Sequence, residues 1–143
     1  MNDVNEVKEL GANLFINTGS PHLICFVKDI QHYPVFEEGR KLRYDKQFEA
    51  QGGTNVNFVE LQGNNTIFVR TYERGVENET LSCGTGVTAA ALASSRQGYA
   101  STVTVKTLGG ELSVEFKQSG TSIFSHIYLN GPAKKVFEGV FEF

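Results

Sequence analysis

The sequence predicts an α+β domain in which many short strands surround a single helix of small residues. Three observations predict it. Fifteen glycines punctuate the chain, with short β-rich runs between them. The run Asn55-Val56-Asn57-Phe58-Val59-Glu60-Leu61 alternates polar and apolar, as a half-buried strand does. One segment breaks the rhythm: Val87 to Arg96 reads Val-Thr-Ala-Ala-Ala-Leu-Ala-Ser-Ser-Arg, and alanine is the best helix former.

Taken in order, Leu14-Phe15-Ile16 and Leu23-Ile24-Cys25-Phe26-Val27 read as the first two strands. The segment Pro34 to Arg43 reads as a helix, with proline where a first turn tolerates it and Val35, Phe36 and Leu42 on one side. The strand from Asn55 meets a Gly63-Asn64-Asn65 turn, and Thr66 to Tyr72 returns as the second arm of a hairpin. The alanine-rich helix follows, with Gly98 as its C-terminal cap. Three strands come next, at Thr102 to Lys106, Glu111 to Lys117 and Ile123 to Leu129, turning at Gly109-Gly110 and Ser119-Gly120. A last strand is expected from Lys134 towards Phe143. Small helix residues let a sheet close tightly around them.

The length of 143 residues suits a single domain spanning 1–143, and 40% hydrophobic residues with eleven Phe supply a core. There is no linker, repeat or low-complexity segment. A net charge of -3 with no basic stripe argues against a nucleic-acid partner. The densest basic cluster, Arg40-Lys41-Leu42-Arg43 after Glu37-Glu38, reads as a solvated helix face. No apolar run approaches the roughly 20 residues of a membrane helix, and Met1 is followed by polar residues rather than a signal peptide. The two cysteines show no metal spacing, so no metal site is expected and a cytoplasmic protein with reduced thiols is the default. The chain opens abruptly in what reads as a strand, which raises the prospect of a missing N-terminal partner.

Chemistry concentrates in Arg70 to Gly75 and Leu81 to Gly86. Cys83 stands where the alanine-rich helix begins. Free amides at a helix N-terminus carry partial positive charge, bind anions and favour a thiolate. Gly84 and Gly86 let backbone approach a ligand, and Thr85 adds a hydroxyl. A carboxylate held by these amides would present an amino acid's α-hydrogen to the sulfur. Cysteines are also common packing residues. Cys25, between Ile24 and Phe26, reads that way, whereas Cys83, between Ser82 and Gly84, is open to either role. Glu73 and Arg74 are equally compatible with a plain surface ion pair.

Three elements decide between these readings. Tyr72-Glu73-Arg74-Gly75 followed by Glu79 to Gly86 resembles the signature of diaminopimelate epimerases. Gly19-Ser20-Pro21-His22 resembles that family's Gly-Asn-Pro-His element, and Thr54 to Val59 its substrate-binding strand. Their order agrees with the family, and the likeness covers essentially the whole chain. It implies a strongly curved, mainly antiparallel, barrel-like sheet around the central helix. It also implies racemisation without pyridoxal phosphate or any other cofactor, by two cysteines on opposite faces of the substrate. By resemblance, Cys83 is the cysteine of the C-terminal lobe, and Gly84 and Thr85 hold the reacting α-carboxylate. Glu73 receives the amino group and, with His22, modulates thiol ionisation. Arg74 grips the distal carboxylate and Asn55 the distal amino-acid end. The family further implies interconversion of LL- and meso-diaminopimelate for lysine and peptidoglycan synthesis, and a homodimer.

Several departures stand out. Ser20 replaces the usual Asn, so its substrate contact is shortened or water-mediated; Glu77-Asn78 adds one residue; and Ser82 stands where alanine is frequent. The Asn-Gly-rich element with the partner cysteine is absent, and Cys25 lacks the helix-terminus glycine to replace it. The chain is therefore expected to be the C-terminal lobe of a two-lobe enzyme, without its N-terminal lobe and inactive alone. Two alternatives remain. One is a related isomerase: proline racemases share Cys-Gly-Thr-Gly but need no Arg74 clamp, and phenazine-type isomerases lack the cysteine. The other is an isolated lobe with only a binding or structural role.

Overall fold

The structure, a computed structural model, describes residues 1–143. Nine strands form one sheet: β1 Lys8–Leu10, β2 Asn13–Asn17, β3 Pro21–Phe26, β4 Asn55–Gly63, β5 Thr66–Glu73, β6 Asn78–Thr80, β7 Val103–Thr107, β8 Gly110–Ser119 and β9 Ile123–Asn130. The order is β1-β2-β3-β4-β5-β7-β8-β9, with β6 also paired to β5. Only β3–β4 and β5–β7 are parallel; the other pairs are antiparallel. The two ends of this order meet, because Val4, just before β1, exchanges backbone hydrogen bonds of 2.9 and 2.7 Å with Phe124 in β9. The sheet thus curls almost into a barrel.

Two helices flank it. Inside the curl runs α2, Gly84–Ser94, of which residues 86–94 are all buried. Ala89, Ala90, Ala91 and Ala93 hold the sheet at close range, while Val87 and Leu92 fill the larger gaps. Burying each of those two contributes about 1.5–3 kcal/mol. The helix ends in a 3-10 turn, Ser95–Gln97, capped by Gly98 at φ 86°. On the outer face lies α1, Val35–Arg43.

Because side chains alternate along a strand, β4 splits its residues between these layers. Val56 and Phe58 join the outer cluster with Leu23, Cys25, Val35 and Tyr72, whereas Val59 joins the inner core with Ile24 and Val69. The hairpin between β4 and β5 turns as expected, with positive φ at Gly63, Asn64 and Asn65.

Three expectations need correction. Residues 131–143 form no strand, and Val136, Phe137, Val140, Phe141 and Phe143 are exposed. An apolar, β-prone sequence becomes a strand only by pairing with an edge, and residues 131–143 pair with none. The opening seven residues are not a strand either, apart from the bridge at Val4. The apolar side of α1 is the expected one: Val35 is buried, Leu42 packs against the outer cluster, and the Phe36 ring, though 40% exposed, lies 5.8 Å from that of Tyr72. Gly39 lets the helix sit close on the sheet. A Cβ there would lie 2.4 Å from the Cβ of Tyr72. Finally, Arg43 is not merely solvated: its guanidinium forms a fork on the Glu77 carboxylate at 2.9 and 3.0 Å, tying α1 to the loop before β6.

Candidate active site

Cys83 is the N-cap of α2, with extended backbone at φ -128° and ψ 110°. The first helical hydrogen bond runs from the Val87 amide to the Cys83 carbonyl at 2.8 Å, so the amides of Gly84, Thr85 and Gly86 precede the helical ladder. Cys83, Gly84 and Thr85 are half-buried at one end of the curled sheet. The Thr85 hydroxyl stands 3.6 Å from the Cys83 sulfur. Thr18 anchors this turn by donating to the Thr85 carbonyl at 2.8 Å.

Beneath the turn lies His22, on β3 and fully buried. Its Nε2 is 2.8 Å from the Thr85 hydroxyl and 3.0 Å from that of Ser20. On the far side its Nδ1 meets the Asn57 amide nitrogen at 3.0 Å. Burial, aided by the field of Arg74, pushes the imidazole pKa down to about 4, so the ring is neutral at pH 7. His22 therefore reaches the sulfur only through Thr85.

Arg74 and Glu73 sit at the end of β5 and do not pair with one another, which removes the plain ion-pair reading. Asn55 accepts from the Arg74 amide at 2.8 Å and donates to the Pro21 carbonyl at 2.9 Å, so it fixes the backbone that carries the guanidinium. The Asn55 oxygen retains a second lone pair. One guanidinium nitrogen of Arg74 rests on the Gln51 and Gly53 carbonyls at 3.2 and 3.3 Å, and no carboxylate of the chain neutralises it. The neighbouring Arg70 is structural, gripping Glu79 at 2.6 and 2.7 Å and the carbonyls of Ile30 and Tyr33.

The sheet separates the two thiols. Cys25 points into the outer cluster, where burial pushes its pKa up to about 12. Both cysteines are free. No cluster of three or more His, Cys, Asp or Glu side chains is arranged to hold a metal ion, and no helix is long and apolar enough to cross a membrane.

Two features of the site differ from, or add to, the sequence reading. Gly86 is required by packing. It is buried against β3 and β4, and a Cβ there would lie 2.3 Å from the Asn57 Oδ1 and 3.2 Å from the His22 Cε1. Asn57 and Thr71 are the additions: the Thr71 hydroxyl donates to the Asn57 Oδ1 at 2.8 Å, and both are buried. The available signal was polar residues at strand positions that alternation sends towards the alanine-rich helix.

This architecture defines the class. It is shared with a Bacillus anthracis phenazine biosynthesis protein of the PhzF family, at a TM-score of 0.50 and 20% identity, across 85% of this chain and 38% of that one. An Enterococcus faecalis PhzF-family protein aligns at a TM-score of 0.51 and 14% identity, across 81% and 39% of the two chains. At these identities the likeness is one of fold: a curled mixed sheet around a helix, of the PhzF and diaminopimelate-epimerase type.

Within that class, the chain belongs to the diaminopimelate epimerase family, whose sequence profile matches residues 14–136. The diaminopimelate epimerase of Flavobacterium psychrophilum is 45% identical over 140 residues, which cover 96% of this chain and 54% of the relative. That of Aquifex aeolicus is 45% identical over 129 residues, covering 88% and 44%. The chain spans about half the length of the curated relatives it matches.

Proposed function

We propose that this chain is the C-terminal lobe of a two-lobe diaminopimelate epimerase and supplies one of its two sulfur acid/bases, Cys83. The observation that carries this reading is Cys83 at the N-cap of α2, next to three amides outside the helical ladder. On the same end of the sheet stands Arg74, a guanidinium without a carboxylate partner.

In this reading the Gly84 and Thr85 amides hold the α-carboxylate, whose charge the helix N-terminus favours. That places the α-carbon beside the Cys83 sulfur. As thiolate, Cys83 takes the α-proton from one face and becomes a thiol; a second thiol, from the other lobe, gives a proton to the opposite face and becomes a thiolate. The carbanion's charge spreads into the carboxylate, where the amides stabilise it. No cofactor enters the scheme. Glu73 receives the ammonium at the reacting end. Arg74 takes the distal carboxylate in a bidentate fork, and the free lone pair of Asn55 serves the distal amino group. Ser20 contributes a hydroxyl at the edge of the site.

A second lobe is supported by surfaces that are otherwise uncovered. Leu81, two residues before Cys83, is 68% exposed, and Leu108 beside it is 50% exposed. The loop bearing Leu108 is held there by the Gly109 amide, which donates to the Leu81 carbonyl at 2.9 Å. The aromatic and aliphatic tail after Asn130 is also bare. Closing over Cys83 would exclude water and strengthen each electrostatic contact.

A substrate panel tests the reading. The chain, fused to the part of the Flavobacterium relative that it leaves unmatched, should epimerise diaminopimelate and leave proline and lysine untouched. Proline racemisation would instead favour the related isomerase, and no turnover of any of these would favour a lobe with a binding role.

A further inference from the structure

We propose that Asn57 is a positioning residue: it locks His22 with its proton on Nε2, and so aims the Thr85 hydroxyl proton at the Cys83 sulfur. This rests on the reading of Cys83 as an acid/base thiol.

The direction of the Asn57 amide follows from its other neighbours. Its Nδ2 lies 3.3 Å from the Leu23 carbonyl, which can only accept, and its Oδ1 lies 2.8 Å from the Thr71 hydroxyl. A flipped amide would set its oxygen against the Leu23 carbonyl oxygen. The amide therefore presents an N–H to the His22 Nδ1 at 3.0 Å, and Nδ1 holds a lone pair. A neutral imidazole carries one proton, which then sits on Nε2.

The consequence passes outward. The His22 Nε2–H donates to the Thr85 hydroxyl oxygen at 2.8 Å. Having accepted there, the hydroxyl keeps its own proton for another partner. Two acceptors lie in reach, the Ser20 hydroxyl at 3.1 Å and the Cys83 sulfur at 3.6 Å. A thiolate is the stronger acceptor, because ionised partners make the stronger hydrogen bonds. With the proton on Nδ1 instead, Nε2 would accept, and the Thr85 hydroxyl, nearer at 2.8 Å than Ser20 at 3.0 Å, would donate inward and leave the sulfur without its donor. No proton leaves this series when Cys83 ionises; the Thr85 hydrogen bond only strengthens. Gly86 seats the first turn of α2 directly on the His22–Asn57 pair.

The test is made on the intact chain, labelled with 15N, at pH 7. Long-range proton–nitrogen spectra of the wild type should show His22 with an unprotonated Nδ1 and a protonated Nε2. Asn57→Leu should populate the Nδ1–H form and slow iodoacetamide alkylation of Cys83 about fivefold, the worth of one ordinary hydrogen bond. Thr85→Val should slow it to a similar extent, and the double variant should be no slower than Thr85→Val alone, since both changes remove one donor.

A wild-type His22 with its proton on Nδ1, or doubly protonated, overturns the proposal, and this holds even if Asn57→Leu does not fold. So does a folded Asn57→Leu with an unchanged tautomer, or a Thr85→Val with unchanged alkylation. None of these readouts depends on turnover. An inactive fused enzyme with His22 in the Nε2–H form would sink the functional reading and leave this one standing.

Discussion

Replacing Gly86 by alanine sets two effects of opposite sign against each other. Alanine in a helix is favoured over glycine by up to about 1 kcal/mol, less in a first turn, and it also restricts the unfolded chain. Against this, the new Cβ would lie 2.3 Å from the Asn57 Oδ1, which accepts from Thr71 and belongs to an amide whose nitrogen is tied to His22 and Leu23. Either α2 lifts from the sheet or the amide turns. Overpacking a buried site costs about 1–3 kcal/mol. Displacing the amide also breaks its hydrogen bonds to Thr71, Leu23 and His22, and each buried group left unpaired costs about 1–3 kcal/mol. The clash wins: overpacking alone outweighs the alanine gain, and with any loss of amide hydrogen bonds added the net loss is at least about 2 kcal/mol. In a chain of this length that lowers Tm by about 6 °C, at about 3 °C per kcal/mol. Urea unfolding should show a lower midpoint with an unchanged slope. Gly84→Ala is the internal control, since its Cβ would meet only the Leu129 Cδ2, at 3.2 Å and at the end of a flexible side chain. Its stability should change by less than about 0.5 kcal/mol. A Gly86→Ala protein as stable as the parent, with Cys83 equally reactive, would refute the packing of α2 on the His22–Asn57 pair.

Three other outcomes follow from the same geometry. Iodoacetamide should label Cys83 in the folded chain and reach Cys25 only on unfolding, because Cys25 is buried with its pKa pushed up to about 12; mass spectrometry of the labelled peptides would show the reverse order if the assignment is wrong. His22 binds its proton more weakly folded than unfolded, at about 4 against an ordinary 6.5, so its contribution is complete above pH 6.5 and is lost as pH falls towards 4. The loss is on the order of 3 kcal/mol; urea midpoints across pH 4–7 should slope accordingly, and His22→Gln should flatten that part of the slope. In the fused enzyme, Arg74→Lys should raise KM for diaminopimelate about tenfold, since an ammonium cannot reproduce the fork, and an unchanged KM would remove Arg74 from the distal carboxylate.

Much of this molecule is legible in its sequence. The hairpin from Asn55 to Tyr72 is, because alternation and a Gly-Asn-Asn turn are local signals. So is the alanine-rich helix: propensity marks the alanines, and the place of Cys83 at its mouth agrees with the observed start at Gly84. The short strands β1 and β6 carry no such signal, being three residues each and formed only by pairing with longer neighbours. The expected final strand failed for the complementary reason. Val136 to Phe143 has strand composition, yet composition does not supply the edge on which a strand forms.

The site divides in the same way. Cys83, Gly84, Thr85, Glu73 and Arg74 were visible as a linear motif, and the fold brings them to one end of the sheet with Ser20 and His22. Asn57 and Thr71 are hidden, since their importance comes from cross-strand register: Asn57 stands opposite Thr71 in β5 and opposite Ile24 in β3, two residues along that strand from His22. The packing role of Gly86 is not legible, because a glycine's sequence does not say which neighbour needs the space.

The central claim is that Cys83 is one of two sulfurs needed for epimerisation, and deuterium incorporation at the α-carbon tests it most directly. LL-diaminopimelate in heavy water is followed with the chain alone, with the chain fused to the unmatched part of its relative, and with Cys83→Ala in that fusion. The account predicts background exchange from the chain alone, steady exchange from the fusion, and background again from Cys83→Ala. Exchange that survives Cys83→Ala, or steady exchange from the chain alone, would contradict it.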